Sequence, residues 1–155
     1  MTSSQTYVAT CDVGQGLFAA EDLGEGTEIL RFVGPELTLA QVRAKSDRAC
    51  DALQIGVNRY LDLADPGRLV NHSCHPNAGV CDDRKLIAIR SIRRGEEIRF
   101  DYSTTIGDGW TMPCLCGFTE CRGLVVAYRL LPEPLRCRYE ILRFVQRFLV
   151  EEWQA

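Results

Sequence analysis

Three cysteines crowded near the C-terminus constrain this chain more than any other feature. Cys114, Cys116 and Cys121 form a Cys-x-Cys-x4-Cys pattern. Three thiolates this close together can surround one metal ion, and a tetrahedral zinc site needs a fourth ligand. Cys74 is the natural fourth ligand, because it lies in a polar loop where no core-packing role explains it. The sequence therefore predicts a zinc site that ties the tail of the chain to its middle.

The cysteine pattern also bears on the compartment. Eight cysteines in 155 residues would fit a disulfide scaffold, but the Cys-x-Cys cluster and the enzyme-like remainder favour reduced thiols and a metal. We therefore expect an intracellular protein, either cytoplasmic or, in a eukaryote, nuclear or chromatin-associated. The other cysteines are expected to be small core residues: Cys11, Cys50, Cys81 and Cys137.

Length and charge exclude several classes of protein. A chain of 155 residues with 46% hydrophobic residues predicts one domain with its own core. No uninterrupted apolar run reaches the roughly 18 residues of a membrane span, and the N-terminus lacks the pattern of a signal peptide. A net charge of -3 does not favour direct nucleic-acid binding. It mildly favours a basic partner, such as a lysine-rich peptide.

Many short strand-like runs separated by glycine predict a mostly β domain with minor α content. A helix is expected over residues 38–50 with Thr38 as its N-cap. Gly14-Gln15-Gly16 is expected to form the turn between the first two strands. The predicted strands cover residues 6–11, 16–20, 27–33, 86–90 and 97–100, with short runs within 53–63.

The last part of the chain has a different pattern. Apolar residues recur near helical spacing from Leu135 to Trp153, with arginines on much of the other face. Pro132 and Pro134 mark the boundary before them. We therefore expect a domain over residues 1–131 and an amphipathic helix within 132–155 that packs on it. The alternative is that this helix forms a surface for a homodimer or another partner.

Several motifs in order carry a family resemblance. Together they are similar to the SET-domain protein lysine methyltransferases with a post-SET zinc motif, here at about residues 114–124. The chain looks like a minimal member, and the resemblance covers roughly residues 7 to 124. The motifs are Gly14-Gln-Gly-Leu-Phe-Ala19, Gly34 after Phe32-Val33, Asn71-His-Ser-Cys74 with Pro76-Asn77, Gly95-Glu-Glu97 with Phe100-Asp-Tyr102, and the cysteine tail ending in Arg122-Gly123.

The resemblance implies a fold and an activity. The fold is the SET-domain (β-clip) fold of several small sheets, in which the 71–77 and 95–102 segments pass each other in a knot-like crossing, a rare arrangement. The activity is methyl transfer from S-adenosylmethionine (SAM) to a lysine of a protein or peptide, histone-like or other. Such an in-line displacement depends on positioning. It also needs a neutral amine, and an apolar channel lowers the lysine pKa from about 10.4.

The resemblance also implies catalytic roles. Tyr102 corresponds to the family's terminal tyrosine, whose hydroxyl lies near the transferred methyl. Phe100 occupies a Phe/Tyr switch position, where phenylalanine leaves room for products beyond monomethyl-lysine. Phe32 departs from the family, which usually has tyrosine there, and it cannot donate the expected hydrogen bond. Tyr60 and Tyr7 are the candidates to replace that hydroxyl.

For the cofactor, the resemblance implies a site around Asn71 and His72. An asparagine amide can bridge the charged amino-acid end of SAM. Arg68 either caps the methionine carboxylate or is structural, and Leu124, followed by Val125, either covers the adenine or belongs to a core strand. The residues expected to supply backbone contacts are Gly14, Gln15, Gly16 and Leu17.

Three alternatives stay open at this level. A catalytically weak SET-fold module that binds SAM or a peptide would fit Phe32, although Asn71, His72 and Tyr102 argue against it. A purely structural zinc domain is the second. In the third, His72 and His75 are zinc ligands together with the cysteines, but four cysteines already complete a zinc site.

Overall fold

The computed structural model of the chain describes residues 5–154, and the side chains of Cys50 and of residues 152–154 lie outside what it describes. Within this range the chain forms twelve short strands, β1 to β12. Their shortness follows from the turn residues that interrupt the apolar runs. The strands are Thr6–Cys11, Gly14–Ala19, Glu28–Arg31, Glu36–Leu37, Ala52–Gly56, Arg59–Asp62, Asn71–His72, Ala78–Cys81, Lys85–Ala88, Arg99–Phe100, Met112–Pro113 and Leu124–Val125.

The strands of the described range assemble into five small sheets. Three are two-stranded: β1 with β2, β7 with β10, and β11 with β12. The other two have the orders β3-β9-β8 and β4-β6-β5. All pairs are antiparallel except β7 with β10, which is parallel. The predicted fold class, mostly β with several small sheets, is confirmed.

The first hairpin turns earlier than expected. Gly14 to Gly16 belong to β2, with Gly14 opposite Cys11, and the turn itself is at residues 12–13. Gly14 has φ +116°, a conformation that glycine adopts without a steric penalty and that allows the two-residue loop to close. The prediction of a turn over Gly14-Gln15-Gly16 was therefore wrong by two residues.

The two central motif segments lie side by side. The parallel pair matches Arg99 with Asn71 and Phe100 with His72. Beyond it, the Ser73 N–H donates to the Phe100 carbonyl at 3.1 Å, and the Asn77 Oδ1 accepts from the Arg99 N–H at 2.9 Å. These contacts bring the 71–77 and 95–102 segments together as the fold class requires, and their knot-like threading stays a prediction.

Helix α1, Leu39–Ala44, begins where the sequence predicts but ends early. The Thr38 side chain accepts from the Gln41 N–H, and the Gln41 side chain accepts from the Thr38 N–H, which is a complete capping box. Ser46, with φ +52°, ends the α-helical geometry. The rest of the expected helix, Ser46–Asp51, is a 3-10 helix.

The C-terminal segment forms two helices, α2 (Glu133–Leu142) and α3 (Arg147–Gln154), instead of one. Arg143 takes a left-handed conformation, φ +61°, and the Phe144 N–H returns to the Tyr139 carbonyl, as in a Schellman motif. This break turns α3 back onto the domain and leaves Ile141 exposed. A satellite core forms there from Tyr128, Leu131, Tyr139, Val145 and Leu149.

The main core lies between the small sheets, with fully buried Leu17, Phe32, Leu61 and Ile98 among its members. The expectation that the remaining cysteines are core residues was wrong for those described. Cys11 and Cys81 are half-buried at strand ends, and Cys137 is exposed on α2. Among the described residues, no helix has the length and apolar character needed to cross a bilayer.

Candidate active site and metal centre

Two cavities meet at Tyr102. The first, about 310 Å³, has aromatic walls that include Tyr60, Phe100 and Trp110. The second, about 340 Å³, is more polar and includes Asn71 and His72. Tyr102 and Arg68 line both cavities. Tyr102 therefore forms part of the wall between an aromatic compartment and a polar one.

Tyr102 is held at both ends. Its hydroxyl donates to the Val70 carbonyl at 2.7 Å, and its backbone N–H donates to His72 Nδ1 at 3.0 Å. Its ring centroid lies 4.9 Å from that of Phe100. Because the hydroxyl proton is committed to Val70, the hydroxyl oxygen can act toward a bound group only as an acceptor.

Phe100 and Phe32 have different positions. Phe100 lines the first cavity, whereas Phe32 is fully buried and lines neither. The two rings lie 5.9 Å apart, and a Cβ at Gly67 would come within 2.9 Å of the Phe32 ring. Phe32 therefore supports Phe100 from the core.

Tyr60, one of the two candidates to replace the missing hydroxyl, lines the first cavity. Its hydroxyl donates to Asp108 Oδ2 at 2.8 Å, and Asp108 Oδ1 accepts from the Trp110 N–H at 2.8 Å. Burial, helped by Asp108, raises the pKa of Tyr60, so the hydroxyl stays protonated. Tyr7 instead stacks on Phe18 at the surface and lines neither cavity. Sequence analysis missed Asp108 and Trp110, because no motif identifies them.

Asn71 is oriented by protein groups on one side. Its Nδ2 donates to the Gln15 carbonyl and to Glu97 Oε1, both at 2.9 Å. The amide oxygen accepts no hydrogen bond from the described residues, and Asn71 lines the second cavity. Gly16 permits this arrangement, because a Cβ there would lie 2.5 Å from Glu97 Oε1. Sequence analysis missed this role of Glu97.

The other predicted cofactor residues are more dispersed. Gln15 reaches the site only through its carbonyl, and Leu17 is fully buried in the core. Gly14 lies at the start of β2, and the residue before it, Val13, is the one that lines the second cavity. Leu124 is exposed and pairs with Pro113, which also lines that cavity.

Arg68 is the one predicted cofactor residue with a full charge. It pairs with Asp65, with 2.8 Å between Nε and Oδ1. It is exposed and lines both cavities. An exposed ion pair of this kind contributes little to stability, so Arg68 can exchange its carboxylate partner at small cost.

His72 connects the polar cavity to the cysteine cluster. It is buried, and burial lowers the pKa of His72 to about 4, so the ring is neutral at neutral pH. Nδ1 accepts from the Tyr102 N–H, which places the ring proton on Nε2, 3.5 Å from Cys74 Sγ. His72 therefore accepts from the Tyr102 backbone on one side and lies beside Cys74 on the other. It is not one of the four clustered cysteine ligands.

The four predicted metal ligands come together. The Sγ atoms of Cys74, Cys114, Cys116 and Cys121 all lie within 4.8 Å of one another, and those of Cys74 and Cys114 are 3.6 Å apart. A tetrahedral zinc site with Zn–S bonds of about 2.3 Å has sulfur atoms about 3.8 Å apart. Burial raises the pKa of Cys74 and Cys114, so a divalent cation would be needed to hold all four as thiolates.

Comparison with known proteins adds an independent finding. A family model described as the SET domain matches residues 14–103. Histone-lysine N-methyltransferase trr of Drosophila melanogaster is 32% identical over 137 residues, 77% of this chain and 6% of that protein. The H3 lysine-36 specific histone-lysine N-methyltransferase of Candida albicans is 32% identical over 125 residues, 70% of this chain and 15% of that protein.

A human relative shows the same proportions. Histone-lysine N-methyltransferase 2D of Homo sapiens is 32% identical over 137 residues, which are 77% of this chain and 2% of that protein. The chain therefore spans no more than 15% of the length of these three relatives.

Proposed function

Because the chain belongs to the SET-domain family, we propose that it transfers methyl groups from SAM to a lysine side chain of a protein substrate. The position of Tyr102 between the two cavities carries this proposal. A transfer between two bound molecules requires their reacting groups to meet at one point. Tyr102 lines both of the cavities that would hold the two molecules.

The second cavity fits the amino-acid end of SAM. The Asn71 amide oxygen, with its Nδ2 held by Gln15 and Glu97, is an acceptor for the ammonium group. Arg68 is a partner for the carboxylate. The apolar side chains of Val13, Met112 and Leu115 line the same cavity and suit the adenine, with Leu124 beside them. When bound, SAM supplies an electrophilic methyl group on a sulfonium.

The first cavity fits the target lysine. Its largely apolar walls remove water from an ammonium ion, and this desolvation lowers the pKa of a lysine placed there. Because the Tyr60 hydroxyl donates its proton to Asp108, its oxygen can only accept, and we assign to it a hydrogen bond from the lysine amine. The Tyr102 oxygen is an acceptor for the weak C–H···O contacts of a polarised methyl group.

The four-cysteine cluster fits a structural zinc ion. With four cysteine ligands the coordination shell is closed, as in structural sites, and leaves no position for a substrate. The ion would fasten the 114–121 segment to Cys74. That segment also carries part of the second cavity, so zinc would shape the cofactor site without taking part in the chemistry.

Substrate and compartment follow from the same proposal. Relatives are named as histone-lysine methyltransferases, so a lysine in a histone-like or other basic protein segment is the substrate class that we propose. The net charge of -3 suits such a partner. The cysteines other than Cys50 are free thiols, which supports an intracellular, reducing compartment, nuclear where the host has a nucleus.

The test is product mass on a panel of lysine-containing proteins incubated with SAM. We expect methylated product from the wild type and a fall in turnover of at least about tenfold for Tyr102→Phe, which removes one oxygen and almost no volume. Tyr7→Phe is the matched control, because Tyr7 is an exposed tyrosine outside both cavities. SAM binding without turnover would instead favour the binding module, and a folded chain that never binds SAM would favour a structural zinc domain.

A further inference from the structure

Asp101, between Phe100 and Tyr102, carries a fully buried carboxylate. Its Oδ1 accepts from the Ser103 N–H at 3.1 Å and from Arg122 Nη2 at 2.8 Å. Its Oδ2 accepts from the Tyr139 hydroxyl at 2.8 Å. A buried carboxylate needs such partners, because an unpaired charge in the interior is costly.

The three donors come from separate parts of the chain. Ser103 is two residues from Asp101 in the chain, Arg122 directly follows Cys121 of the cysteine cluster, and Tyr139 lies in helix α2. Among the described residues, Tyr139 is the one donor to Oδ2. Burial, together with Asp101, raises the pKa of Tyr139, so its hydroxyl remains a donor throughout the physiological range.

The carboxylate is closely linked to Tyr102. Asp101 precedes Tyr102 in the chain, and its Oδ1 holds the N–H of Ser103, the residue that follows Tyr102. A change in the carboxylate position therefore moves the peptide units on both sides of Tyr102. Since a displacement reaction is sensitive to misplacement on the scale of 1 Å, a small shift of Tyr102 would act on the chemical step more than on binding.

We propose that Tyr139 of α2 is a positioning residue for methyl transfer, acting through Asp101 on Tyr102; this inference rests on the proposed function. The C-terminal helices are then a working part of the active site. The same contact explains why a tyrosine is useful at this place in α2. A phenylalanine would fill the same volume but would leave Oδ2 unpaired.

The test compares Tyr139→Phe with Tyr128→Phe. Tyr128 is a matched control because it is equally buried and belongs to the same satellite core, and the partners of its hydroxyl among the described residues, Glu140 and the Arg136 carbonyl, lie within the C-terminal segment. Full-length variants are measured for thermal stability, SAM affinity, kcat and KM for the methylated substrate, and hydrogen exchange of the Tyr102 and Ser103 amides.

We expect Tyr139→Phe to lower kcat about tenfold with KM and SAM affinity within about twofold of the wild type, and to accelerate exchange at Tyr102 and Ser103. Tyr128→Phe should keep the wild-type kcat and exchange at these amides, even where it loses comparable stability. Equal kcat values in the two variants would overturn the proposal. If the wild type transfers no methyl group, the proposed function fails, and the exchange data still decide whether Tyr139 positions Tyr102. Unchanged exchange in Tyr139→Phe would then refute it.

Discussion

At the scale of single residues, hydrogen bonds within the protein occupy the donor groups of Tyr102 and Asn71 and leave the oxygen atoms of both side chains as acceptors. The Tyr102 hydroxyl proton goes to Val70, and both Nδ2 protons of Asn71 go to Gln15 and Glu97. Oxygen acceptors then remain for a ligand. This arrangement suits the sulfonium and ammonium groups of SAM, because it offers them acceptors, while Arg68 remains as a donor for the carboxylate.

Phe100→Tyr should shift the products toward monomethyl-lysine without abolishing activity. The added hydroxyl would stand in the first cavity, where it can hold the amine or a water molecule and leaves less room for a second methylation. The measurement is product mass over time on one substrate. Phe18→Tyr is the control, since Phe18 lies outside both cavities, and a wild type that makes only monomethyl-lysine would contradict our interpretation of Phe100.

Asn71→Ala should weaken SAM binding roughly 5- to 150-fold. The estimate corresponds to the roughly 1–3 kcal/mol that a buried polar group loses with its partner. Isothermal titration calorimetry on the full chain measures this directly. Thr10→Ala, an exposed polar change opposite Gln15 in the β1–β2 hairpin, should leave the affinity unaltered, and an unaltered affinity in Asn71→Ala would remove Asn71 from the site.

The sequence predicted those site residues whose role can be recognised from their type and their neighbours in the chain. The four cysteines were found from spacing and type, because only sulfur ligands explain such a cluster. Tyr102, Phe100, Asn71 and Arg68 were inferred from the resemblance and line the two cavities, and their roles there stay predictions. Asp108, Trp110 and Glu97 were missed, because their roles come from long-range contacts. Phe32 was expected in the site but lies in the core, since an apolar side chain alone does not reveal which side of a cavity wall it occupies. The backbone contacts expected of Leu17 stay a prediction.

At the scale of elements, short strands and loops hold the site while the regular helices lie around it. The start of α1 was predicted correctly because Thr38 caps it, whereas the glycine-marked turn at residues 14–16 was misplaced by two residues. The C-terminal helix was expected to be continuous, because apolar spacing does not reveal a left-handed break at a residue such as Arg143. Its two-helix form exposes Ile141, and a homodimer through this surface stays a prediction.

The cysteine loop should bind one zinc ion per chain. Elemental analysis of the purified protein should find about one equivalent, and Cys116→Ser should lose most of it, because three thiolates no longer close the shell. Cys137→Ser changes an exposed cysteine on α2 and should retain the metal. Full zinc content in Cys116→Ser would exclude the site.

At the scale of the whole molecule, the C-terminal helices are fastened to the sheets at several points. Gln146, fully buried, donates to the carbonyls of Gln54 and Asp83. Phe144 packs directly on Gly79 in β8, where a Cβ would lie 2.6 Å from its ring. Together with the hydrogen bond from Tyr139 to Asp101, these contacts pack the C-terminal helices against the rest of the domain.

Gly79→Ala should therefore destabilise the whole molecule. A methyl group at this site must displace the Phe144 ring, and overpacking of this kind costs about 1–3 kcal/mol. Gly24→Ala is the control, because its nearest neighbour would be 4.0 Å away. Chemical denaturation followed by far-ultraviolet circular dichroism measures both, and equal unfolding free energies would show that Phe144 moves aside freely.

The parallel pairing of β7 with β10 and the close approach of Cys74 to Cys121 have a consequence for synthesis. During translation, the strand Asn71–His72 cannot pair until residues 99–100 have left the ribosome, and Cys74 cannot approach Cys121 until that residue has also emerged. A nascent chain therefore exposes a thiol and an unpaired strand for a large part of its translation. Because such long-range closures come late, metal capture would coincide with the final steps of folding, and no shorter nascent form would carry a finished site.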